Sequence, residues 1–136
     1  MRKICIIGVD GQDGSYLAEF FLKNNFLVTG IGRRKKNINS DTESYFKYKC
    51  VDLAKSGDLR EVLIQINVDT IIYCASTHGP RGFDYFNVAD DTFLVNTQAP
   101  HVCLNYCRET DGKCSLIFLS SIKTFDYELH QKVDDN

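Results

Sequence analysis

The sequence predicts an α/β fold, a doubly wound and mostly parallel sheet of about five strands. Three observations carry that prediction. Short apolar runs alternate with amphipathic runs of helical period along most of the chain. The apolar runs are nearly continuous, as strands covered on both faces require. Three glycines, Gly8, Gly11 and Gly14, stand at even spacing between the first apolar run and the first amphipathic one. Right-handed crossovers then lay the helices on both faces of the sheet.

The elements follow in order. Lys3 to Ile7 reads as the first strand. Ser15 to Lys23 puts Leu17, Phe20 and Phe21 on one face and reads as a helix. Phe26 to Ile31 is the second strand. Phe46 to Val51 is the third, with less clean patterning. Asp58 to Ile66 is a helix that turns Leu59, Val62, Leu63 and Ile66 inward, and Asp58 suits its N-terminus. Val68 to Ala75 is the fourth strand. Asp90 to Arg108 reads as one long helix interrupted by Pro100, which either kinks it or marks its true start nearby. Cys114 to Leu119 is the fifth strand. The polar stretch Asn37 to Ser44 reads as a mobile loop. After Phe125 the apolar pattern is lost, as in a frayed end.

The 136 residues fit one domain, residues 1–136, around one modest core. A net charge of −2, from 16 basic and 18 acidic residues, gives no footing for bulk nucleic-acid binding. No apolar run approaches a membrane span. Met1-Arg2-Lys3 and the apolar run behind it have the outline of a signal peptide. The run stops at Val9 in a Gly/Asp loop with no cleavage pattern, so that reading is rejected. Of six cysteines, Cys5, Cys50 and Cys74 fall inside strands, where a thiol is a small hydrophobe. Cys103 and Cys107 lie one helical turn apart, with His101 beside them. A fourth ligand and a usual metal-site spacing are both missing. The reading is reduced thiols and no metal, in a cytoplasmic protein.

In a doubly wound sheet the first strand-to-helix turn can bind the pyrophosphate of a dinucleotide. Glycines there permit a tight turn and close backbone approach, and the helix N-terminus offers N–H groups and a positive dipole end. Gly8, Gly11 and Gly14 fall where this mechanism needs them; the alternative is a glycine-rich turn that binds nothing. The spacing G-x-x-G-x-x-G resembles the fingerprint of the extended short-chain dehydrogenase/reductases, the nucleotide-sugar epimerases and dehydratases. The string "GQDGSYLAEFFL" looks most like the GDP-mannose 4,6-dehydratase branch of that family. The resemblance runs from Arg2 to about Phe125 and is dense over the first 34 residues. It implies a Rossmann-type domain and adds Gln12 and Asp13 to the glycines as cofactor-binding positions. Two residues depart from the family pattern. Ile7 and Asp10 both stand where threonine is usual. A carboxylate beside a pyrophosphate is repulsive unless it turns away or accepts from a backbone N–H.

The second strand ends "GIGRRKK". An NAD-selective site normally carries an acidic residue here for the ribose hydroxyls, and none is present. Arg33 and Arg34 follow instead, and either form a solvated basic turn or pair with the 2′-phosphate of NADP. Position favours NADP over NAD. In "CVDLAKSGDL" the family likeness puts Asp52 on the adenine amino group and Leu53 along the ring; alone, Asp52 would be a turn aspartate. Ala75 and Ser76 end the fourth strand and would line the cofactor. His78 reads as a loop histidine without a partner carboxylate. Asn96 resembles the family's helix asparagine, with Ala99-Pro100 replacing its Gly-Thr.

The fifth strand ends "IFLSSIKTFDYE", which looks like the family's Ser-Ser-x-x-x-Tyr-Gly segment with Phe125-Asp126 in place of Tyr-Gly. That register makes Ser121 the catalytic hydroxyl on the substrate oxygen to be oxidised; the alternative is a serine capping a strand. The family's Tyr-x-x-x-Lys pair would lie beyond Asn136, and Tyr127 cannot replace it because Gln131 stands at the lysine position. The resemblance thus implies the NADP-binding front half of a nucleotide-sugar dehydratase or epimerase, truncated before the substrate-binding part. The intact enzyme would oxidise a sugar C4 hydroxyl transiently. The contrary reading is a non-catalytic dinucleotide-binding or interaction module. Family dimers join through a helix bundle. Here the 90–108 helix carries Phe93, Leu94, Val102, Cys103, Leu104 and Tyr106, too many apolar groups for one stripe, so it is expected to mediate homo-oligomers.

Overall fold

The first strand shows why its apolar run is unbroken: it is covered on both sides. The computed structural model describes residues 1–34, 44–55, 58–77, 84 and 86–120. Along these run β1 (Lys3–Ile7), α1 (Gln12–Lys23), β2 (Leu27–Gly32), β3 (Phe46–Cys50), α2 (Asp58–Ile66) and β4 (Thr70–Tyr73). Then come α3 (Ala89–Phe93), a π-helical turn (Leu94–Gln98), α4 (Ala99–Glu109) and β5 (Ser115–Phe118). Ile4 and Ile6 of β1 face α1, where Leu17, Ala18, Phe21 and Leu22 pack with Val28 and Ile72. Cys5 and Ile7 face the other way, into a core shared with Leu59 and Leu63 of α2 and Cys103 and Tyr106 of α4. The period-two alternation is thus between two apolar layers.

The five strands pair in the order β3-β2-β1-β4-β5, and every pairing is parallel. The chain reverses its direction of winding between β1 and β4, which leaves a crevice at their C-terminal ends. The fold class read from the sequence is the one observed.

Several boundaries differ from the sequence reading, each for a local reason. α1 starts at Gln12, not Ser15, because its first turn is built from polar and glycine residues that apolar periodicity does not register. Its N-cap is Gly11, and the Ser15 hydroxyl donates to the Gln12 carbonyl at 2.8 Å. β2 runs one residue later than expected. The Phe26 N–H is spent on the Phe21 carbonyl at 3.0 Å, while Gly32 still pairs with Cys50. β4 is shorter than expected because its register with β1 ends at Ile7 and Tyr73.

Pro100 neither breaks nor begins the long helix. Phe93, Leu94, Gln98 and Ala99 all keep right-handed helical angles, so α3, the π turn and α4 are continuous. Proline has no N–H to donate, and the widened turn just ahead of it absorbs the mismatch. The Ala99 N–H reaches back five residues to the Leu94 carbonyl. The Val95 carbonyl therefore has neither its α partner at Ala99 nor a π partner at Pro100. It accepts instead from the Tyr73 hydroxyl at the end of β4, at 2.5 Å. Of the sequence expectations, the loop at 37–43, His78, Ser121 and the tail after Phe125 lie outside the described residues.

Candidate functional site

The glycine loop is shaped by what a side chain would hit. Gly8 has φ +89°, a left-handed conformation, and a Cβ there would meet the Ala75 backbone nitrogen at 2.6 Å. The loop after β1 is therefore pressed against the end of β4. At Gly14 a Cβ would overlap the Gly8 carbonyl oxygen and stand 2.8 Å from the Val9 Cα, so α1 can pack on the loop only without a side chain there. Gly11 caps α1 with no side-chain hydrogen bond to the first-turn N–H groups. An uncapped helix N-terminus behind a glycine cradle is suited to an anion.

This cradle opens on a crevice of about 830 Å³ at the sheet's switch point. Gly8, Asp10 and Gly11 form its loop wall, and Gly32, Arg33 and Arg34 form the β2 end. Leu53 lies on the β3 side, and Ala75, Ser76 and Thr77 follow β4. Asp91 of α3 and Val95 of the π turn close the far side. The structure thus brings Gly8, Gly11, Arg33, Arg34, Leu53, Ala75 and Ser76 to one cavity. Gly14 is buried beneath the loop, and Gln12 and Asp13 are exposed in the first turn of α1.

Asp52 does not line the crevice. Its carboxylate accepts the Ala54 N–H at 3.2 Å and lies 3.9 Å from the Lys55 ammonium, the turn role that the sequence also allowed. Asn96 acts through the loop after β4. Its side-chain oxygen accepts the Thr77 N–H at 2.8 Å, and its amide donates to the Thr77 carbonyl at 3.1 Å. This two-point clamp fixes the segment that carries Ala75 and Ser76.

Sequence reasoning missed Tyr48, Thr77, Asp91 and Val95 as parts of the site or its support. Tyr48 of β3 donates its hydroxyl to Asp10 Oδ2 at 2.7 Å, across 38 residues of chain. The same hydroxyl oxygen accepts the Arg34 backbone N–H at 3.1 Å. Burial, with the bond to Asp10, pushes the Tyr48 phenol up to about 12, so it stays protonated and donating. No local pattern could pair these two residues.

Four of the thiols are held protonated by burial. Cys74 lines the crevice, and burial followed by the charge of Asp13 raises it to about 11. Burial likewise pushes up Cys5, and takes Cys103 and Cys114 to about 12. A thiol held protonated is a poor nucleophile and a poor metal ligand. His101 is exposed and bonds Asn105 at 3.0 Å, whereas Cys103 and Cys107 are buried against the sheet.

An all-parallel doubly wound sheet with a glycine turn at its switch point is an α/β fold of the Rossmann type. The chain belongs to the NAD dependent epimerase/dehydratase family, whose model matches residues 4–135. It is 57% identical over 129 residues to the GDP-mannose 4,6 dehydratase of Drosophila melanogaster, covering 90% of this chain and 30% of that one. It is 52% identical over 130 residues to the GDP-mannose 4,6 dehydratase of Cricetulus griseus, covering 90% of this chain and 32% of the other. The chain thus spans about a third of the length of these relatives. Among solved structures, L-threonine dehydrogenase from Clostridium difficile superposes with a TM-score of 0.70 at 27% identity, over 92% of this chain and 38% of that one. No helix among the described residues is long and apolar enough to cross a membrane.

Proposed function

We propose that this chain is the NADP-binding part of a nucleotide-sugar 4,6-dehydratase acting on a GDP-sugar. The likeness to the two GDP-mannose 4,6 dehydratases, over 90% of the chain, carries this reading. The glycine cradle supports it, because Gly8 and Gly14 let the loop pack closely on β4 and α1, and Gly11 leaves the α1 N-terminus with no side chain over it. When bound, the nicotinamide supplies the hydride chemistry of C4 oxidation and its reversal. The residues of this chain bind and orient. The glycine loop and the α1 N-terminus hold the pyrophosphate, Ala75 and Ser76 flank the nicotinamide half, and Arg33 and Arg34 face the 2′-phosphate. Ser121 is assigned to the substrate hydroxyl by resemblance alone.

The arginines make the cofactor choice testable. In titrations of the purified chain, NADPH should bind at least about tenfold more tightly than NADH, since a charge-assisted phosphate contact contributes about 1.5–3 kcal/mol. Arg33→Ala with Arg34→Ala should erase the difference. Equal or tighter NADH binding by the unaltered chain overturns the NADP assignment. Supply of GDP-mannose to the full-length gene product, with sugar oxidation followed by mass spectrometry, tests the substrate.

Self-association belongs to the same proposal. Phe93 and Leu104, on the helix expected to mediate it, are 58% and 56% exposed. Light scattering at rising concentration should report a second copy bound, and Leu104→Glu should lower the associated fraction. A monomer at every concentration removes the association.

A further inference from the structure

Asp91 stands in the first turn of α3 and lines the far side of the crevice. Its neighbour Asp90 does not line it. Val88, Asp91 and Val95 recur at helical spacing, so they share the helix face that closes the cavity. Between two valines, the carboxylate is the polar group of that stripe.

The other polar groups along this side are engaged within the fold. The Thr77 N–H and carbonyl both bond the Asn96 amide, and the Tyr73 hydroxyl donates to the Val95 carbonyl. Asp91 differs from them. Among the described residues its carboxylate takes part in no hydrogen bond and no ion pair, and it is exposed. The fold therefore makes no use of it. A carboxylate is an acceptor with about four positions and no donor. It suits a ligand group that brings hydroxyl donors and repels one that brings phosphate.

A dinucleotide carries its hydroxyls on its two riboses. In NADP the adenosine ribose bears the 2′-phosphate, which belongs with Arg33 and Arg34 at the end of β2. The nicotinamide ribose keeps two neighbouring hydroxyls. Asp91 lines the crevice together with Ser76 and Thr77, the residues that follow β4. Resting on the dinucleotide reading, we propose that Asp91 is a further cofactor-binding residue, whose carboxylate accepts from the hydroxyls of the nicotinamide ribose. The crevice is thereby read from both ends, phosphate by the arginines after β2 and hydroxyls by a carboxylate on α3.

The test compares two ligands. NADP+ and 2′,5′-ADP, which is NADP+ without its nicotinamide mononucleotide, are titrated separately at one ionic strength. The proteins are the unaltered chain, Asp91→Ala, Asp91→Asn and, as a charge control, Asp90→Asn. Asp91→Ala should weaken NADP+ about tenfold, as loss of a hydrogen bond to a charged group does, and leave 2′,5′-ADP unchanged. Asp91→Asn should weaken NADP+ by less, since its amide oxygen still accepts, and it decides the matter if Asp91→Ala does not fold. Asp90→Asn should change neither. The urea midpoint should stay put in all three, because neither carboxylate is bonded in the fold. NADP+ affinity that is unchanged or tighter in the Asp91 variants overturns the proposal. So does an equal loss for both ligands, or an Asp90→Asn effect as large as that of Asp91→Asn. Each of these leaves dinucleotide binding intact, whereas a folded, unaltered chain that binds neither ligand overturns both readings.

Discussion

Gly8 and Gly112 separate two demands that a single glycine usually merges. Both have left-handed backbone, φ +89° and +77°. Only at Gly8 does a Cβ meet packed backbone, with the Ala75 nitrogen at 2.6 Å and its Cα at 2.8 Å; at Gly112 nothing lies within 4 Å. Alanine at either position carries the left-handed penalty of about 1–2 kcal/mol. Gly8→Ala must also push β4 away from β1. We expect Gly112→Ala to lower unfolding free energy in urea by about 1 kcal/mol, and Gly8→Ala to lower it by at least about 2 kcal/mol more while abolishing dinucleotide binding. Equal losses would show that the loop is not pressed on β4. Gly8 was legible in the sequence, with Gly11 and Gly14, because its requirement is backbone geometry at a strand-to-helix turn, whereas Gly112 was not singled out. Asp10 was visible as an anomaly, but its contact with Tyr48 was not, because Tyr48 and Gly32 are brought to it only by the pairing of β1, β2 and β3. At Asp52 the family position suggests an adenine contact, and in the structure one carboxylate oxygen accepts the Ala54 N–H within the following turn.

The π turn joins an element's irregularity to the site. It carries Asn96, whose amide clamps Thr77, and Val95, whose side chain lines the crevice and whose carbonyl takes the Tyr73 hydroxyl. The Tyr73 side chain is fully buried, so the phenol and the carbonyl satisfy one another out of water. Tyr73→Phe preserves the ring and strands the carbonyl. We expect a loss of about 1–3 kcal/mol in denaturant unfolding, larger than removing a solvent-exposed hydroxyl would cause. Cofactor affinity should fall with it, because the π turn also positions the loop after β4. Unchanged stability would mean that the Val95 carbonyl finds another donor. The sequence announced an interruption at Pro100 and nothing more. Whether a helix kinks, restarts or widens ahead of a proline depends on where its displaced carbonyls find partners, and here the partner is on a strand 22 residues earlier.

At the scale of the molecule, the alternation of strands with helices and the two-sided burial were legible because the apolar runs are nearly continuous and separated by amphipathic ones. The exposure of β5 was not: Ile117 and Phe118 are about half exposed on the edge strand of the described sheet, despite a pattern that reads as buried. The same layered burial produces a whole-molecule response to alkali. Burial raises the thiols of Cys5, Cys74, Cys103 and Cys114 above their ordinary 9.0, and the phenols of Tyr48, Tyr73 and Tyr106 above 10.0. The unfolded chain releases these protons first. Above pH ~9 it therefore binds fewer protons than the folded chain, and stability falls as pH rises. The contribution is intact below pH ~9 and is lost progressively toward pH ~12, with a limiting slope of about 1.4 kcal/mol per pH unit for each group still protonated in the fold. Urea unfolding at pH 8, 10 and 11 should show a midpoint that drops steeply and reversibly under reducing conditions. Cys103→Ala opens a cavity and should lower stability at pH 8, yet it removes one titrating group from the core. Its stability should therefore decline less steeply than that of the unaltered chain between pH 9 and 11. Parallel declines would place the alkaline sensitivity outside the thiol-lined layer between the sheet and α4.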